Sequence, residues 1–235
     1  NFANRQDGGS NPPLDRYGWK DVETTPVPPT YKDAPQVREE MANYQECVRY
    51  LDFHLGRLFN AIDRLDYRDN TIIMFNTDHG MEGIRGKGTL YELGMEIACM
   101  MRGPGITPGT QVNHLIQNID YAPTFLQMAG LPVPKAVQGE SMMGLLKGSS
   151  KGWRQSLYYS YYEEGVHTVP RHFGVRTAQH KLMFFPRTGE WNLFDLKADP
   201  NEMRSVHADK NYRKVMDELQ LEFQRLRKLY DAPAM

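Results

Sequence analysis

The sequence predicts an α/β fold, a sheet flanked by helices, followed by a small C-terminal antiparallel sheet carrying one helix. Three observations predict it. Helical and strand periodicities alternate across residues 35–129, a continuous β-branched and aromatic run stands at residues 71–75, and beyond residue 150 short strand-like runs follow one another closely. Alternation of the two periods marks an α/β sheet with helices on its faces. Short strands joined by tight turns mark an antiparallel meander.

The elements follow in order. Residues 1–34 hold Pro12, Pro13, Pro26, Pro28, Pro29, Gly8, Gly9 and Gly18, a density of turn formers that precludes a long helix or central strand and leaves an extended loop. From Pro35 the residues Val37, Met41, Tyr44, Val48, Leu51, Leu55, Leu58, Ile62 and Leu65 recur at steps of three and four. That spacing puts them on one stripe of a helix over residues 36–66, with Asp33 as its start signal. Thr71-Ile72-Ile73-Met74-Phe75 then has the unbroken apolar character of a parallel-sheet strand buried on both faces. A second run at residues 95–101 ends at Gly103-Pro104-Gly105, and a helix over residues 120–129 has Pro123 in its first turn and Gly130 as its stop. The pattern changes at Gly148-Ser149-Ser150, which sets the expected division into domains 1–150 and 151–235. Residues 156–163, 172–177, 181–185 and 191–196 are the expected strands, with Arg187-Thr188-Gly189 as a tight connection; residues 211–230 form a helix with Val215, Leu219, Phe223 and Leu226 on one side.

Composition narrows the function classes. Among 235 residues, hydrophobic types make up 40% and charged types 24%, which excludes a disordered tail, a collagenous fibre and a coiled coil. Lys+Arg 28 against Asp+Glu 29 gives a net charge of −1, so bulk electrostatics offers no case for nucleic acid or an anionic membrane as partner. No stretch reaches the ~18–20 apolar residues of a membrane span. Cys47 and Cys99 lack the paired spacing of a zinc site or a disulfide framework and are expected to be buried thiols. The chain starts without Met and in mid-loop, which predicts a piece of a longer protein.

Two stretches could carry chemistry. Asn76-Thr77-Asp78-His79-Gly80 follows the buried strand directly, and ligands of open α/β sheets bind beyond the carboxyl ends of strands. A carboxylate there can hold a hard divalent cation beside a glycine that lets the backbone turn, or it can simply begin a turn. Gly83-Ile84-Arg85-Gly86-Lys87-Gly88 sets two cations among glycines, a loop that can meet an oxyanion such as sulfate or phosphate or can simply be solvated. It lacks the spacing of a Walker loop.

A resemblance joins these pieces. Residues 69–80, then Lys87-Gly88-Thr89-Leu90-Tyr91-Glu92, then Arg102-Gly103-Pro104-Gly105, resemble the C-terminal half of the catalytic domain of type I sulfatases. Asp120-Tyr121-Ala122-Pro123-Thr124-Phe125-Leu126, Gln138-Gly139-Glu140-Ser141, Gly174-Val175-Arg176-Thr177, Lys181, Leu193-Phe194-Asp195-Leu196 and Asp199-Pro200-Asn201-Glu202 continue the match in order. The resemblance implies an alkaline-phosphatase-like sheet and the hydrolysis of sulfate esters of a sulfated carbohydrate such as a glycosaminoglycan. Such enzymes use a formylglycine made from Cys or Ser in a Cys/Ser-x-Pro/Ala-x-Arg motif, beside one calcium ion. Neither Cys47-Val48-Arg49-Tyr50 nor Cys99-Met100-Met101-Arg102 fits that motif. The expectation is therefore a chain that lacks the nucleophile, is inactive alone, and shares its calcium with ligands from an N-terminal half.

Carried over residue by residue, the resemblance implies that Asp78 is a calcium ligand, that His79 beside it ligates the metal or bonds the sulfate, and that Lys87 contacts the sulfate group. Calcium favours oxygen ligands, so Asp78 suits it better than an imidazole does. His167, Arg171 and His172 lie where the small domain of such enzymes leans over the pocket, and a cationic side chain there suits an anionic sugar; structural ion pairs and a capped strand are the alternatives. The aromatic residues of 153–173 are expected to be sheet core, and 199–202 a turn. Periplasm, secretion or lysosome is the compartment the resemblance implies. Two further readings stay open: a phosphate or phosphonate ester hydrolase of the same superfamily, and a non-catalytic remnant that binds anionic glycans.

Overall fold

The computed structural model describes residues 18–163 and 169–235. Helix α1 (Pro35–Arg64) starts with Pro35 in its first turn, where a missing N–H costs nothing. Asp33 does not cap it. Its carboxylate instead accepts a fork of bonds from Arg38, Nε at 2.7 Å and Nη2 at 2.5 Å. Ala42 and Glu46 of α1 are buried, whereas Tyr44, Val48, Leu51, Leu58 and Leu65 of the expected stripe are exposed. Residues 18–34 carry neither helix nor strand.

Strand β1 (Ile73–Asn76) pairs with β2 (Cys99–Arg102) in antiparallel register, Ile73 opposite Arg102 and Asn76 opposite Cys99. The expected parallel strand is thus corrected. A parallel pair needs a crossover of a dozen or more residues, usually a helix that carries the chain back to the same end. Here the connection holds only one helical turn, α2 (Glu92–Met95), and folds onto itself, so β2 returns alongside β1 in the opposite direction. Helix α3 (Tyr121–Met128) follows a tight turn at Asn118–Asp120, ends before Gly130 at φ +70°, and is succeeded by the single turn α4 (Met143–Leu146).

Strands β3 (Ser156–Tyr161), β4 (His172–Thr177), β5 (His180–Phe185) and β6 (Glu190–Asp195) form an antiparallel sheet in sequence order, as the pattern predicts. Helix α5 (Arg213–Leu229) lies on one face. Because successive side chains of a strand point to opposite faces, the sheet divides its residues cleanly. Phe173, Val175, Leu182 and Leu193 meet Leu219, Phe223 and Leu226 of α5, each such burial being worth about 1.5–3 kcal/mol. The opposite face presents Met183 and Phe194, and these close over Leu90. Most of the aromatic residues of 153–173 are core, as expected: Tyr158 stacks toward Phe223 and Tyr230, Tyr159 packs beside Met183, and Trp153 sits with Met142 and Leu145, whereas Tyr162 is exposed.

Contacts divide the chain into two units, Asn1–Ile72 and Ile73–Met235, a boundary that does not coincide with the change of sequence pattern at residue 150. No helix among the described residues is long and apolar enough to cross a membrane.

Candidate functional site

Asp78 and His79 sit where β1 runs out. Thr77 N–H still bonds Ala98 O at 3.2 Å, and then the chain turns. The Asp78 side chain is 88% exposed; Oδ1 accepts from His79 N–H at 3.0 Å, and its backbone carbonyl accepts from Asn118 Nδ2 at 3.1 Å. His79 Nδ1 lies 2.8 Å from Gly80 O, which can only accept, so that nitrogen carries the proton. The other ring nitrogen, Nε2, faces Asp78 Oδ2 at 3.6 Å.

Lys87 stands on the same knot of backbone. Gly80 N–H donates to Gly94 O at 3.1 Å, Lys87 N–H to Met81 O at 2.9 Å, and Thr89 Oγ1 to Gly86 O at 2.7 Å. Two glycines make this closeness possible. A Cβ on Gly86 would stand 1.9 Å from Met81 O, and one on Gly94 would stand 2.2 Å from Gly86 O, distances no side chain tolerates. Lys87 is therefore anchored three residues from Asp78, and its exposed side chain makes no ion pair among the described residues. The structure thus brings Asp78, His79 and Lys87 onto one loop system.

The residues expected to face substrate fare differently. His167 lies outside the described residues. Arg171 spreads its guanidinium over Tyr162 and Phe173 and donates Nη2 to Ala234 O at 3.1 Å. His172 is buried with both nitrogens in use: Nδ1–H donates to Pro170 O at 2.8 Å and Nε2 accepts Leu90 N–H at 3.0 Å. Burial holds its pKa below the ordinary imidazole value, only partly offset by the Pro170 carbonyl, so the ring is neutral. The expectation that His172 presents a cation to a sugar is corrected: a buried neutral ring with no spare nitrogen is a strut under the lysine loop, stacked against Tyr159, Tyr161 and Phe185.

Sequence reasoning assigned no role to the polar groups beneath this loop. Lys181, fully buried, lies 2.7 Å from both Glu92 Oε1 and Glu202 Oε1. Arg176 forks onto Glu92, Nη2 at 2.9 Å and Nε at 3.2 Å. Burial would raise the Glu92 carboxyl, but Arg176 and Lys181 outweigh it and hold the group below the usual carboxylate range; burial wins at Glu202, whose carboxyl is pushed up despite Lys181. The alternating pattern of β5 carries the missed signal, since Lys181 shares its face with Met183 and so points toward the loop rather than toward α5. On the other flank Asp120, fully buried, takes a fork from Arg154, with Nη2 to Oδ1 at 2.7 Å, and accepts Gln117 N–H and Glu140 N–H at 2.7 and 2.9 Å. The same turn carries Asn118, which holds Asp78.

Residues 5–131 match the family described as Sulfatase, and residues 80–229 match N-sulphoglucosamine sulphohydrolase, C-terminal. The chain belongs to the sulfatase family. It is 35% identical over 203 residues to an N-acetylglucosamine-6-O-sulfatase of Bacteroides thetaiotaomicron, covering 82% of this chain and 36% of the relative. Human arylsulfatase A is 34% identical over 172 residues, 67% of this chain and 33% of that enzyme. Among solved structures, a protein in complex with its substrate D-glucosamine-2-N,6-O-disulfate aligns with TM-score 0.77 and 32% identity, over 85% of this chain and 43% of that one. A phosphonate monoester hydrolase from Silicibacter pomeroyi aligns with TM-score 0.74 and 26% identity, over 85% of this chain and 43% of its own. This sulfatase chain spans about two fifths of the length of the first relatives it matches, and its fold is the alkaline-phosphatase-like α/β fold of these neighbours.

Proposed function

We propose that this chain is the part of a sulfuric ester hydrolase that contributes Asp78, His79 and Lys87 to a site for a sulfated amino sugar. The observation that carries the reading is the backbone bond from Lys87 N–H to Met81 O, which ties the lysine turn to a residue three positions beyond Asp78, at the end of β1. The relative named for N-acetylglucosamine-6-O-sulfate and the neighbour bound to a disulfated glucosamine support the sugar class. In this reading residues 1–150 are part of the catalytic domain and residues 151–235 are a small subdomain backing it.

The chemistry follows from charge. As the S–O bond of a sulfate ester breaks, negative charge grows on the leaving oxygen. Lys87 offsets that charge or the charge of the sulfuryl oxygens, a role of the kind worth about 3–4 kcal/mol for one oxyanion donor. Asp78, mostly exposed, offers hard oxygen ligands that fit calcium. When bound, the cation supplies positive charge against the sulfate. Asp78 and His79 do not complete a shell of six to eight oxygens, and the described residues hold no cluster of three or more His, Cys, Asp or Glu that could bind a metal. In this reading ligands outside the described residues would complete the site, and the nucleophile would come from there as well. His79, with Nδ1–H committed to Gly80, has Nε2 left as a second metal or sulfate contact. His167 remains a candidate for contact with the sugar; Arg171 instead packs over Phe173 on the α5 side of the sheet.

The test is sulfate release from 6-O-sulfated glucosamine by this chain joined to the segment that carries the nucleophile. Lys87→Ala is expected to lower kcat by about 10²–10³-fold, and chelation of calcium to abolish turnover. Failure to release sulfate from every sulfated sugar and aryl sulfate overturns the reading. The phosphonate hydrolase neighbour favours one alternative, a phosphate or phosphonate ester hydrolase, which the same assay with a phosphonate monoester decides.

A further inference from the structure

Resting on the reading that Lys87 meets the sulfuryl group, we propose that Glu92, Lys181 and Glu202 are positioning residues for Lys87, a buried charge cluster that fixes the lysine loop from beneath.

Glu202 is the pivot. Its carboxylate Oε2 accepts Glu92 N–H at 2.6 Å, and its backbone carbonyl accepts Nη1 of Arg85. Arg85 stands two residues before Lys87 and Glu92 five after, so one residue grips both flanks of the ammonium-bearing turn. Glu202 does this with φ +55°, and Arg85 answers with φ +58°. Backbone held in this sparsely populated region persists only where its surroundings over-determine it, and it clusters at functional sites. The Arg85 guanidinium is fixed further, 4.7 Å above the Tyr91 ring, so it acts as a brace and not as a free cation.

Lys181 makes the grip possible. A buried carboxylate (Glu202) and a half-buried one (Glu92) that converge repel each other unless a cation lies between them. Lys181 Nζ is that cation, equidistant at 2.7 Å from Glu92 and Glu202, and Arg176 balances the second charge from the neighbouring strand. Without Lys181 one carboxylate must take a proton or the two must part, and either change releases the Glu92 end of the turn. The cluster makes no claim on substrate; it acts through the place at which Lys87 is held.

The experiment uses the full-length protein with sulfated glucosamine as substrate. Lys181→Met is expected to lower kcat about 100-fold, the effect of misplacing a reacting group by about an ångström, with KM nearly unchanged, and Lys181→Arg to restore part of it. In a Lys87→Ala background Lys181→Met is expected to have no further effect on kcat. Hydrogen exchange gives a readout independent of activity, with the Leu90 and Glu92 amides losing protection in Lys181→Met. A kcat loss that persists undiminished in the Lys87→Ala background overturns the proposal, as does unchanged exchange at those amides. Should Lys181→Met fail to fold, Glu202→Gln carries the same comparisons. Should Lys87→Ala leave sulfate release intact, the functional reading fails, and the exchange measurement still decides whether the cluster fixes the loop.

Discussion

The tip and the root of the segment from Asp78 to Met95 are built on opposite rules. At the tip, Asp78 and Lys87 are exposed, and Lys87 makes no ion pair among the described residues. At the root, Leu90 is fully buried, and Glu92 meets Lys181, Arg176 and Glu202 on the face of the four-stranded sheet turned away from α5. In the proposed function the tip's charges meet sulfate and metal. The root spends charge on itself, pairing Glu92 and Glu202 with Lys181 and Arg176. Rigid elements, not loops by themselves, give a site its precision.

Mutations sharpen this contrast. The largest effect is expected at Arg154, which lies under the Asp78 side. Arg154→Met leaves the Asp120 carboxylate buried and uncompensated and is expected to destabilise the protein by about 3–5 kcal/mol, read as a shift of the urea midpoint; a shift below 1 kcal/mol would show that the pair is not a support. Gly174→Ala comes next. Its new Cβ would lie 2.2 Å from Leu90 Cδ2 and 2.3 Å from Leu182 O, a clash worth about 1–3 kcal/mol, and thermal unfolding measures it. His172 gives a smaller, pH-dependent effect. Its unfolded ring protonates near 6.5, and burial holds the folded ring neutral to lower pH. Between those two values the unfolded chain binds more protons, so the stability from this group is complete above pH 6.5 and falls as the pH drops. Glutamine can still accept from Leu90 N–H but does not titrate, so His172→Gln is expected to flatten that slope in urea titrations between pH 7 and 5. An unaltered slope would assign it to other groups. At the small end, Asp217→Ala removes an exposed i,i+4 pair with Arg213 on α5 and is expected to change stability by less than about 0.5 kcal/mol.

Much of the architecture was legible because it rests on short-range pattern. The four-stranded meander and α5 fall within a residue or two of the periods read from sequence, and α3 stops where Gly130 says it should. The direction of β1 was not legible, since an apolar run carries no information about which neighbour it meets; the fold-back through Gly80 and Gly94 decided it. The site divides in the same way. Asp78, His79 and Lys87 announce themselves by residue type beside glycines. Asn118 holds the Asp78 carbonyl across 40 positions and leaves no local trace. His172 was misjudged for a related reason: an imidazole in a strand reads alike whether its nitrogens face solvent or, as here, a backbone amide 82 positions away.

The interlocked glycines limit how this loop can be altered. Carbonyl oxygens of Met81 and Gly86 occupy the space that side chains at Gly86 and Gly94 would need, so substitution at those two points cannot retune the reach of the lysine by degrees. Residues 82–84 are exposed at the outer bend. Length added or removed there would reshape the outer bend while the backbone bond from Lys87 to Met81 stayed in place, so the bend can vary without moving the base of the lysine turn.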